Sequence, residues 1–169
     1  MAKKANNKQI IFLVALVFGV AAILMNLLPA VTFKGSLLGI ETQANFSGFH
    51  LMFGSESVPT KTTVGSITGT GTTTTKLVVT SLIAGILMVV GVVAALLVKI
   101  VNKKQQFIVK VVAAAALVAG AVLAIAFTQG SFISANELSE GAKDYYKLGI
   151  GAILSGAFAG VAGLGVLAA

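Results

Sequence analysis

Three carboxylate side chains lie close together in the second half of the chain and are its most concentrated set of possible metal ligands. Glu137, Glu140 and Asp144 fall within one short stretch, and carboxylate oxygens are ligands that Ca²⁺ prefers. Lys143 and Lys147 are interleaved with them, and their positive charges oppose the binding of a divalent cation. The lysines therefore favour a solvated, salt-bridged segment over a calcium site.

A serine, a histidine and an acid also occur near one another, as Ser47, His50 and Glu41. Hydrolases build nucleophilic sites from these residue types, but residue type alone supports such a site here. The chain has one His and no Cys, which argues against a zinc site. The stretch GTGTTTTK at residues 69–76 lacks the spacing of a phosphate-binding loop. We therefore predict no catalytic residue, no cofactor and no metal site, and so a protein that is not an enzyme.

The overall composition points to lipid as the main solvent. Of the 169 residues, 57% are hydrophobic and only 10% are charged, whereas soluble domains carry about 25% charged residues. The mean hydropathy is +1.00. The chain has no Arg and no Trp, which argues against a nucleic-acid partner.

Four segments are long and apolar enough to cross a membrane, since about 20 apolar residues span a hydrocarbon core of about 30 Å. Helices are expected, because they satisfy their own backbone groups in lipid. The four segments are residues 10–30, 77–101, 107–127 and 148–169. The first begins like a signal peptide, but Leu28 stands where cleavage needs a small residue. We therefore expect a retained span.

The lysines are divided unevenly between the segments that connect these spans. Residues 1–9 and the short connector at 102–106, with the span ends beside it, carry seven Lys and no acid: Lys3, Lys4, Lys8, Lys99, Lys103, Lys104 and Lys110. The loops at 31–76 and 128–147 carry the other five Lys and all five acids. The positive-inside rule then places both termini in the cytoplasm and both loops outside the cell. The excess of lysine also suits anionic lipid headgroups, and a specific anionic partner is the alternative.

Two residues near the outer end of the first span are unusual for a membrane helix. Pro29 lacks a backbone N–H and disfavours the helical conformation at Leu28, so we expect the helix to end or kink there. Asn26 is expected to hydrogen-bond to a neighbouring helix, and a pore-lining or substrate-binding Asn is the alternative. No Asp, Glu, His or Arg lies within any predicted span, which argues against proton relays and voltage sensors.

The fourth span consists mainly of small residues, with its bulky residues gathered in one stripe. Rows of small residues spaced four apart let helix backbones approach closely. Tight packing within one bundle is one interpretation, and contact with a second copy or a different subunit is the other. The residues predicted for helix packing or association are Gly151, Ser155, Gly156, Ala159, Gly160 and Gly163.

The first loop mixes β-branched, aromatic and glycine residues, which predicts short strands around a turn near Gly35. Its later part, GSITGTGTTTTK, predicts a last strand or an extended linker. Within NFSGFHLMFG the residues alternate with a period of two, typical of a strand with one buried face. Another strand, the lipid interface or a partner protein could cover that face. The predicted apolar face of this loop consists of Phe46, Phe49, Leu51 and Phe53.

The second loop predicts a helix that begins outside the membrane and continues into the fourth span. Ser134 followed by Glu137 fits a capping box, and acid–lysine pairs at helical i, i+3 spacing come after it. Tyr145 and Tyr146 lie just before the span. We predict them to be interfacial anchors, because tyrosine is enriched at the level of lipid headgroups.

This layout resembles that of claudin-like tetraspan proteins. The shared features are internal termini, a long β-prone first loop, a short inner connector and a fourth span entered from an extended helix. The resemblance covers the whole chain as topology only, because the Trp-containing motif and paired cysteines of that family's first loop are missing. No functional residue is carried over. The Cys-free, Lys-only sequence looks more like that of a small bacterial membrane protein.

The sequence therefore predicts an all-α membrane protein, a four-transmembrane-helix bundle with a small extracellular β-rich cap. We expect it to act without catalysis, through protein–protein contacts, as a self-associating scaffold or an accessory subunit of a larger membrane complex. An oligomeric channel or carrier for small neutral solutes is the alternative. The expected partners are the lipid bilayer and either a second copy or another membrane protein, in the cytoplasmic membrane of a bacterium.

Overall fold

The apolar runs of the sequence form four long helices. A computed structural model describes residues 2–169, with side chains from Asn7 onward. Four helices in this part of the chain are long and apolar enough to cross a membrane: Asn7–Leu27, Val79–Leu97, Lys103–Ala135 and Ile150–Ala168. The four predicted spanning segments are thereby confirmed, and the architecture is that of a multi-pass membrane protein.

The first helix ends where the proline predicts. Helix α1 (Ala2–Leu24) tightens into a 3₁₀ turn at Met25–Leu27, and Pro29 begins the first strand. Leu28 is extended, with φ −79° and ψ 162°, because the proline ring excludes the helical region for the residue before it. The predicted helix end is confirmed.

The third spanning helix is longer than the sequence indicated. The prediction placed its end at residue 127, but the helix continues through a π-helical turn to Ala135. Thr128, buried at this junction, donates a hydrogen bond to the carbonyl oxygen of Leu123 at 3.5 Å. The helices of this part are α3 (Val79–Leu97), α4 (Lys103–Val122), the π turn (Leu123–Phe127), α5 (Thr128–Ala135) and, after the second loop, α6 (Ile150–Ala168).

Both long loops contribute to one antiparallel sheet at one end of the helix bundle. Its strands are β1 (Pro29–Leu37), β2 (Ile40–Ser47), β3 (Ser55–Val64), β4 (Ile67–Thr75) and β5 (Tyr146–Leu148). The strand order is β4-β3-β2-β1-β5. The second loop joins the sheet through β5, where Leu148 pairs with Val31 of β1. The predicted last strand is confirmed as β4, whereas the first turn lies at Leu38 and Gly39 and not near Gly35.

The all-α fold class predicted from the sequence is wrong. Strands occupy 24% of the chain and helices 63%, so the molecule is a mixed α/β protein with a five-stranded antiparallel sheet. Almost all of the first loop forms hairpins, because its many Thr and Val residues have stiff, branched side chains that favour extended backbone. Paired strands also satisfy the backbone groups that a loop would leave to water.

Residues Gly48–Phe53 form a short helix, α2, and the predicted strand in this segment is wrong. The Ser47 hydroxyl accepts a hydrogen bond from the backbone N–H of His50 at 3.2 Å. In return, His50 Nδ1 accepts from the backbone N–H of Ser47 at 3.4 Å. This reciprocal capping box starts the helix, and Gly54 ends it with a φ of 73°.

The second loop does not form the predicted helical continuation into the fourth span. Ser134 lies near the end of α5 and not at the start of a helix. Glu137 has a φ of 56°, which is incompatible with a continuous right-handed helix. A 3₁₀ turn at Glu140–Asp144 and strand β5 follow. The physical reason is the pairing of β5 with β1, which continues into a 2.7 Å bond from the Gly149 N–H to the Ala30 carbonyl.

Two hydrophobic cores hold these parts together. The bundle core is made mostly of alanine with a few larger side chains, including Met88, Leu117 and Val166. The second core lies where the sheet packs on α2, α5 and the adjoining ends of the spanning helices. Its members include Val31, Phe46, Leu51, Val58 and Phe132.

Candidate functional site

The four long strands end, at their turns, in a continuous row of apolar side chains. Leu37 pairs with Ile40, Ile40 with Val64, and Val64 with Ile67. Directly paired residues of antiparallel strands share one face of a sheet, so the row crosses all four strands. We call this row, together with the adjacent turn residue, the distal rim: Leu37, Leu38, Ile40, Val64 and Ile67.

The distal rim is exposed throughout. Its five side chains retain between 42% and 94% of their accessible surface. Single exposed leucines are ordinary on protein surfaces, but a contiguous apolar patch marks a place where another molecule binds. The turns lie at the end of each strand that is remote from the helices, because β1 starts directly after α1 and β4 leads back to α3.

The turn between β1 and β2 holds a leucine in a backbone conformation that leucine disfavours. Leu38 has a φ of 50° and Gly39 a φ of 79°, and two-residue turns of this kind favour Asn-Gly. The left-handed region costs a branched L-residue about 1 kcal/mol. Leu38 is also the most exposed residue of the rim, at 94%. Neither turn geometry nor packing within the chain accounts for a leucine here.

A depression of about 450 Å³ lies beside the distal rim. Its walls include Phe33, Tyr145 and the rim residues Leu37, Leu38 and Ile40. Tyr145 is held there by its carbonyl oxygen, which accepts a hydrogen bond from the Lys34 N–H at 3.0 Å. The predicted interfacial anchor Tyr145 is thus half exposed at the rim's depression, where it extends the apolar surface.

One edge of the sheet is open to a further strand. Strand β4 has a neighbour on one side only, and its sequence ITGTGTTTT contains no charge and no proline. Natural sheets usually protect such edges with lysine, proline or very short strands. The opposite edge has that protection, since β5 is three residues long and includes Lys147. Strand β4 therefore adds unpaired backbone groups to the surface that the rim presents.

The residues predicted as one apolar face of the first loop divide into two pairs. Phe46 and Leu51 are buried in the sheet core, where the Phe46 ring lies 4.8 Å from the ring of Phe132. Phe49 and Phe53 lie on α2 with their rings stacked 6.3 Å apart, and both are exposed. Because α2 is a helix, these side chains point in different directions and do not share a face.

An apolar groove of about 250 Å³ runs between α1, α2 and α3 and includes Phe49, Phe53 and Asn26 in its wall. The Asn26 side-chain N–H₂ donates to the Ala22 carbonyl and to the Ser155 hydroxyl, both at 3.2 Å. The Ser155 hydroxyl itself donates to the same carbonyl at 2.8 Å. The predicted bond from Asn26 to a neighbouring helix is confirmed, and its donors are used to join α1 to α6.

The small residues of the fourth span face other helices of the same chain. A side-chain carbon added at Gly151 would lie 2.5 Å from the Leu28 carbonyl oxygen, and one at Gly156 or Gly163 would meet α4 or the π turn within 3 Å. Ser155 and Ala159 are fully buried, whereas Gly160 has only a methyl group near it. Packing against other segments of the same copy therefore occupies these positions except Gly160.

The acids of the second loop do not converge on a metal site. Glu137 forms a salt bridge with Lys76, the one ion pair among the residues that the structure describes. The hydrogen bond and the positive charge of Lys76 lower the pKa of Glu137 below its ordinary value. Across the described residues, no group of three or more His, Cys, Asp or Glu could hold a metal ion.

The Ser, His and acid of the first loop also have structural roles. Ser47 and His50 cap α2 through each other, while Glu41 pairs with Thr63 in the middle of the sheet's outer half. Tyr146, the other predicted anchor, packs its ring against Phe33 and Phe132 in the sheet core. Burial raises the pKa of the Tyr146 hydroxyl.

Reasoning from the sequence missed the distal rim, although a signal was present. In SLLGIE and VGSI, apolar residues stand on both sides of a glycine-containing two-residue turn. Turn segments usually carry polar residues at these places. Their apolar character distinguishes these two turns from ordinary hairpin turns.

Comparison with known proteins identifies no family for this chain. The resemblance to claudin-like tetraspan proteins stays a prediction from layout. No protein-family model matches the sequence, and a search of curated proteins finds no match.

Proposed function

We propose that this chain is a non-catalytic multi-pass membrane protein that makes protein–protein contacts through its distal rim. It acts as a self-associating scaffold or as an accessory subunit of a larger membrane complex. The observation that carries this proposal is the exposed row of Leu37, Ile40, Val64 and Ile67 across four paired strands.

The length of the strands supports a protein contact at the rim, because it carries the rim beyond the lipid headgroups. Strands rise about 3.3 Å per residue, so β1 carries Leu37 about 26 Å along the strand from Pro29, well beyond a headgroup layer of about 5–8 Å. In an upright sheet, lipid then covers the outward side chains of the spans, and only another protein covers the rim.

The rim is large enough to matter energetically. Full burial of one Leu or Ile side chain stabilises a complex by about 1.5–3 kcal/mol before the costs of association. A few such residues dominate the affinity of typical interfaces.

Orientation follows from the lysines, and it is part of the proposal. The end of the bundle opposite the sheet carries seven Lys and no acid in sequence, so the positive-inside rule places that end and both termini in the cytoplasm. The sheet then lies outside the cytoplasmic membrane of a bacterial cell. Protease added to intact cells is expected to cut residues 55–75, and cutting only after lysis would contradict this orientation.

The experiment that tests the function compares a variant of the rim with a control variant outside it. Leu37→Ser/Ile67→Ser removes two rim side chains, whereas Phe53→Ser removes a similarly exposed side chain beside the helices. After mild detergent extraction, we expect the rim variant to lose at least tenfold of its self-association or of one co-purifying membrane protein. The Phe53 variant is expected to keep the wild-type level.

The identity of the lost species separates the two forms of the proposal. Loss of a homo-oligomer in size measurements supports the scaffold, and loss of one reproducible second protein supports the accessory subunit. Wild-type assembly and recovery in the rim variant, with unchanged folding, would overturn both.

The alternative function is an oligomeric channel or carrier for neutral solutes, and the packing of the bundle argues against a solute path through one copy. The centre of the described bundle is filled by side chains such as Met88, Leu117 and Val166, which are almost fully buried. A solute path through one copy would need to displace them. Flux of neutral solutes through liposomes that contain only this protein would support the alternative.

A further inference from the structure

The end of the bundle opposite the sheet contains a cavity that the distal rim does not use. It has a volume of about 180 Å³, and all four spanning helices or their adjoining residues contribute to it. A water molecule occupies about 30 Å³ in the liquid, so the cavity has the volume of about six waters. Its lining includes Lys8, Lys99, Lys110, Gln9, Gln106 and Phe12.

The three lysines of this cavity have no acidic side chain to pair with. All five Asp and Glu residues of the chain lie in the two loops at the sheet end. Lys8 donates one hydrogen bond, to a backbone oxygen of Ala169 at 3.4 Å. The Lys99 ammonium lies 5.0 Å from the centre of the Phe12 ring, and no Asp or Glu side chain contacts either lysine.

Two further side chains that line the cavity have defined contacts. Phe12 is buried, so its ring is a rigid wall that holds Lys99 by a cation–π contact. The side-chain amide of Gln106 reaches the Val101 carbonyl at 3.5 Å, and Gln9 adds a second amide. The cavity therefore offers three ammonium groups and two amides, which are suitable donors for a tetrahedral oxyanion.

We propose that this cavity binds a phosphate group, and that the phosphate belongs to the headgroup of an anionic phospholipid. Basic pockets between membrane helices on the cytoplasmic side bind such headgroups. The cavity lies at the ends of the spans, where headgroups lie. Exposed apolar side chains of α1 and α4, including Ile11, Ile108 and Val112, provide a surface for the acyl chains next to it.

Diffuse attraction of lysines to an anionic membrane is the competing explanation, and the chain contains its own control. Lys103 and Lys104 lie at the same end of the bundle but do not line the cavity. Diffuse electrostatics predicts the same effect from removing either pair of charges, because both pairs lie near the membrane surface. A built site predicts that only Lys99 and Lys110 matter.

The test uses the full chain purified in phosphatidylcholine nanodiscs. Phosphatidylglycerol is titrated in, and bound lipid is counted by native mass spectrometry while the melting temperature is followed. We expect saturable binding of phosphatidylglycerol that Lys99→Gln/Lys110→Gln weakens at least tenfold and Lys103→Gln/Lys104→Gln leaves within twofold. Lys99→Arg/Lys110→Arg keeps both charges and is expected to retain most of the binding.

Unfolding of a variant is excluded by its melting temperature in pure phosphatidylcholine, which should match the wild type. Equal weakening by the two Gln variants, or no saturable binding by the wild type, would overturn the site. In a second arm, inorganic phosphate replaces the lipid. Stabilisation by inorganic phosphate that depends on Lys99 and Lys110, without binding of phosphatidylglycerol, would overturn the lipid as the source of the phosphate. None of these outcomes bears on the distal rim.

Discussion

The helix bundle and the sheet both expose large apolar side chains, yet the two exposures have different meanings. On the spanning helices, residues such as Leu13, Val17 and Leu164 point outward, where a bilayer provides an apolar solvent. At the distal rim, Leu37, Leu38 and Ile67 are exposed to a similar or greater extent, but they lie at the far ends of strands.

The helix bundle and the sheet also differ in the size of the side chains that they bury. The bundle places Gly, Ala and Ser inside, because helices that lack a hydrophobic driving force in lipid associate through close backbone packing. The sheet buries Val31, Phe46, Leu51 and Val58, as a domain in water does. The sheet is therefore packed like a domain in water, and the exposed apolar rim is the exception that the proposed protein contact explains.

The largest effect is expected in the bundle, where close backbone contact decides stability. A methyl group at Gly151 would lie 2.5 Å from the Leu28 carbonyl oxygen, and backbone cannot move aside as a side chain can. Gly151→Ala is expected to destabilise the fold by about 3 kcal/mol. Gly160→Ala, on the same helix, meets only the Ala121 methyl at 3.9 Å and should change stability by less than about 1 kcal/mol. Thermal unfolding in detergent measures both, and equal effects would contradict the packing described for α6.

A smaller effect is expected from the hydrogen bond between Asn26 and Ser155, which links α1 to α6. Asn26→Ala and Ser155→Ala each remove the 3.2 Å bond between these side chains, and each should destabilise by about 1 kcal/mol. Since the two groups share the Ala22 carbonyl, a double-mutant cycle should give a coupling of about 0.6–1.7 kcal/mol. Additive losses in unfolding experiments would show that Asn26 and Ser155 stabilise the bundle independently and not through the bond between them.

Features of the helix bundle were mostly predictable from the sequence, whereas several features of the sheet region were not. The spans, the helix end before Pro29 and the Asn26 bond depend on local sequence and on the lipid solvent, and they were predictable. Helix α2 was missed because its six residues are too few to distinguish a period of two from a helical period. The Ser47–His50 cap was the decisive local signal.

The remaining differences come from pairing between distant segments. Strand β5 is three residues long and has no strand pattern of its own; its partner β1 determines its conformation. The distal rim likewise depends on three separate pairings that bring four strands into one register. The sequence shows the apolar residues of each turn but not that they form one row.

A substitution at the first turn tests whether association can be weakened without a loss of stability. Leu38→Asn replaces a leucine with a residue that suits the left-handed turn conformation, so the free energy of unfolding should stay the same or rise by up to about 1 kcal/mol. The same change removes the most exposed apolar side chain of the rim and should weaken association about tenfold, or about 1.4 kcal/mol. Detergent-phase sedimentation and thermal unfolding give the two values. A stabilised variant with full association would remove Leu38 from the contact.

The smallest effect is expected at the exposed salt bridge between the two loops. The hydrogen bond and the positive charge of Lys76 lower the pKa of Glu137 below its ordinary value. The bridge therefore stabilises the fold at neutral pH, and that stabilisation is lost as pH falls through the lowered, folded pKa. The melting temperature of the wild type should therefore exceed that of Glu137→Gln slightly near pH 7, and the two should converge in acid. A difference that persists unchanged at low pH would assign it to something other than this ion pair.

Site-directed cross-linking at the rim tests the central claim most directly, because the chain has no cysteine and single cysteines can be placed freely. Leu38→Cys marks the rim, and Gly141→Cys marks an open position in the second loop with no neighbour within 4 Å. In native membranes labelled at the single cysteine with a benzophenone maleimide and then irradiated, we predict one discrete protein adduct at residue 38 and none at residue 141. No adduct at residue 38, or the same adducts at both positions, would contradict a specific protein contact at the distal rim.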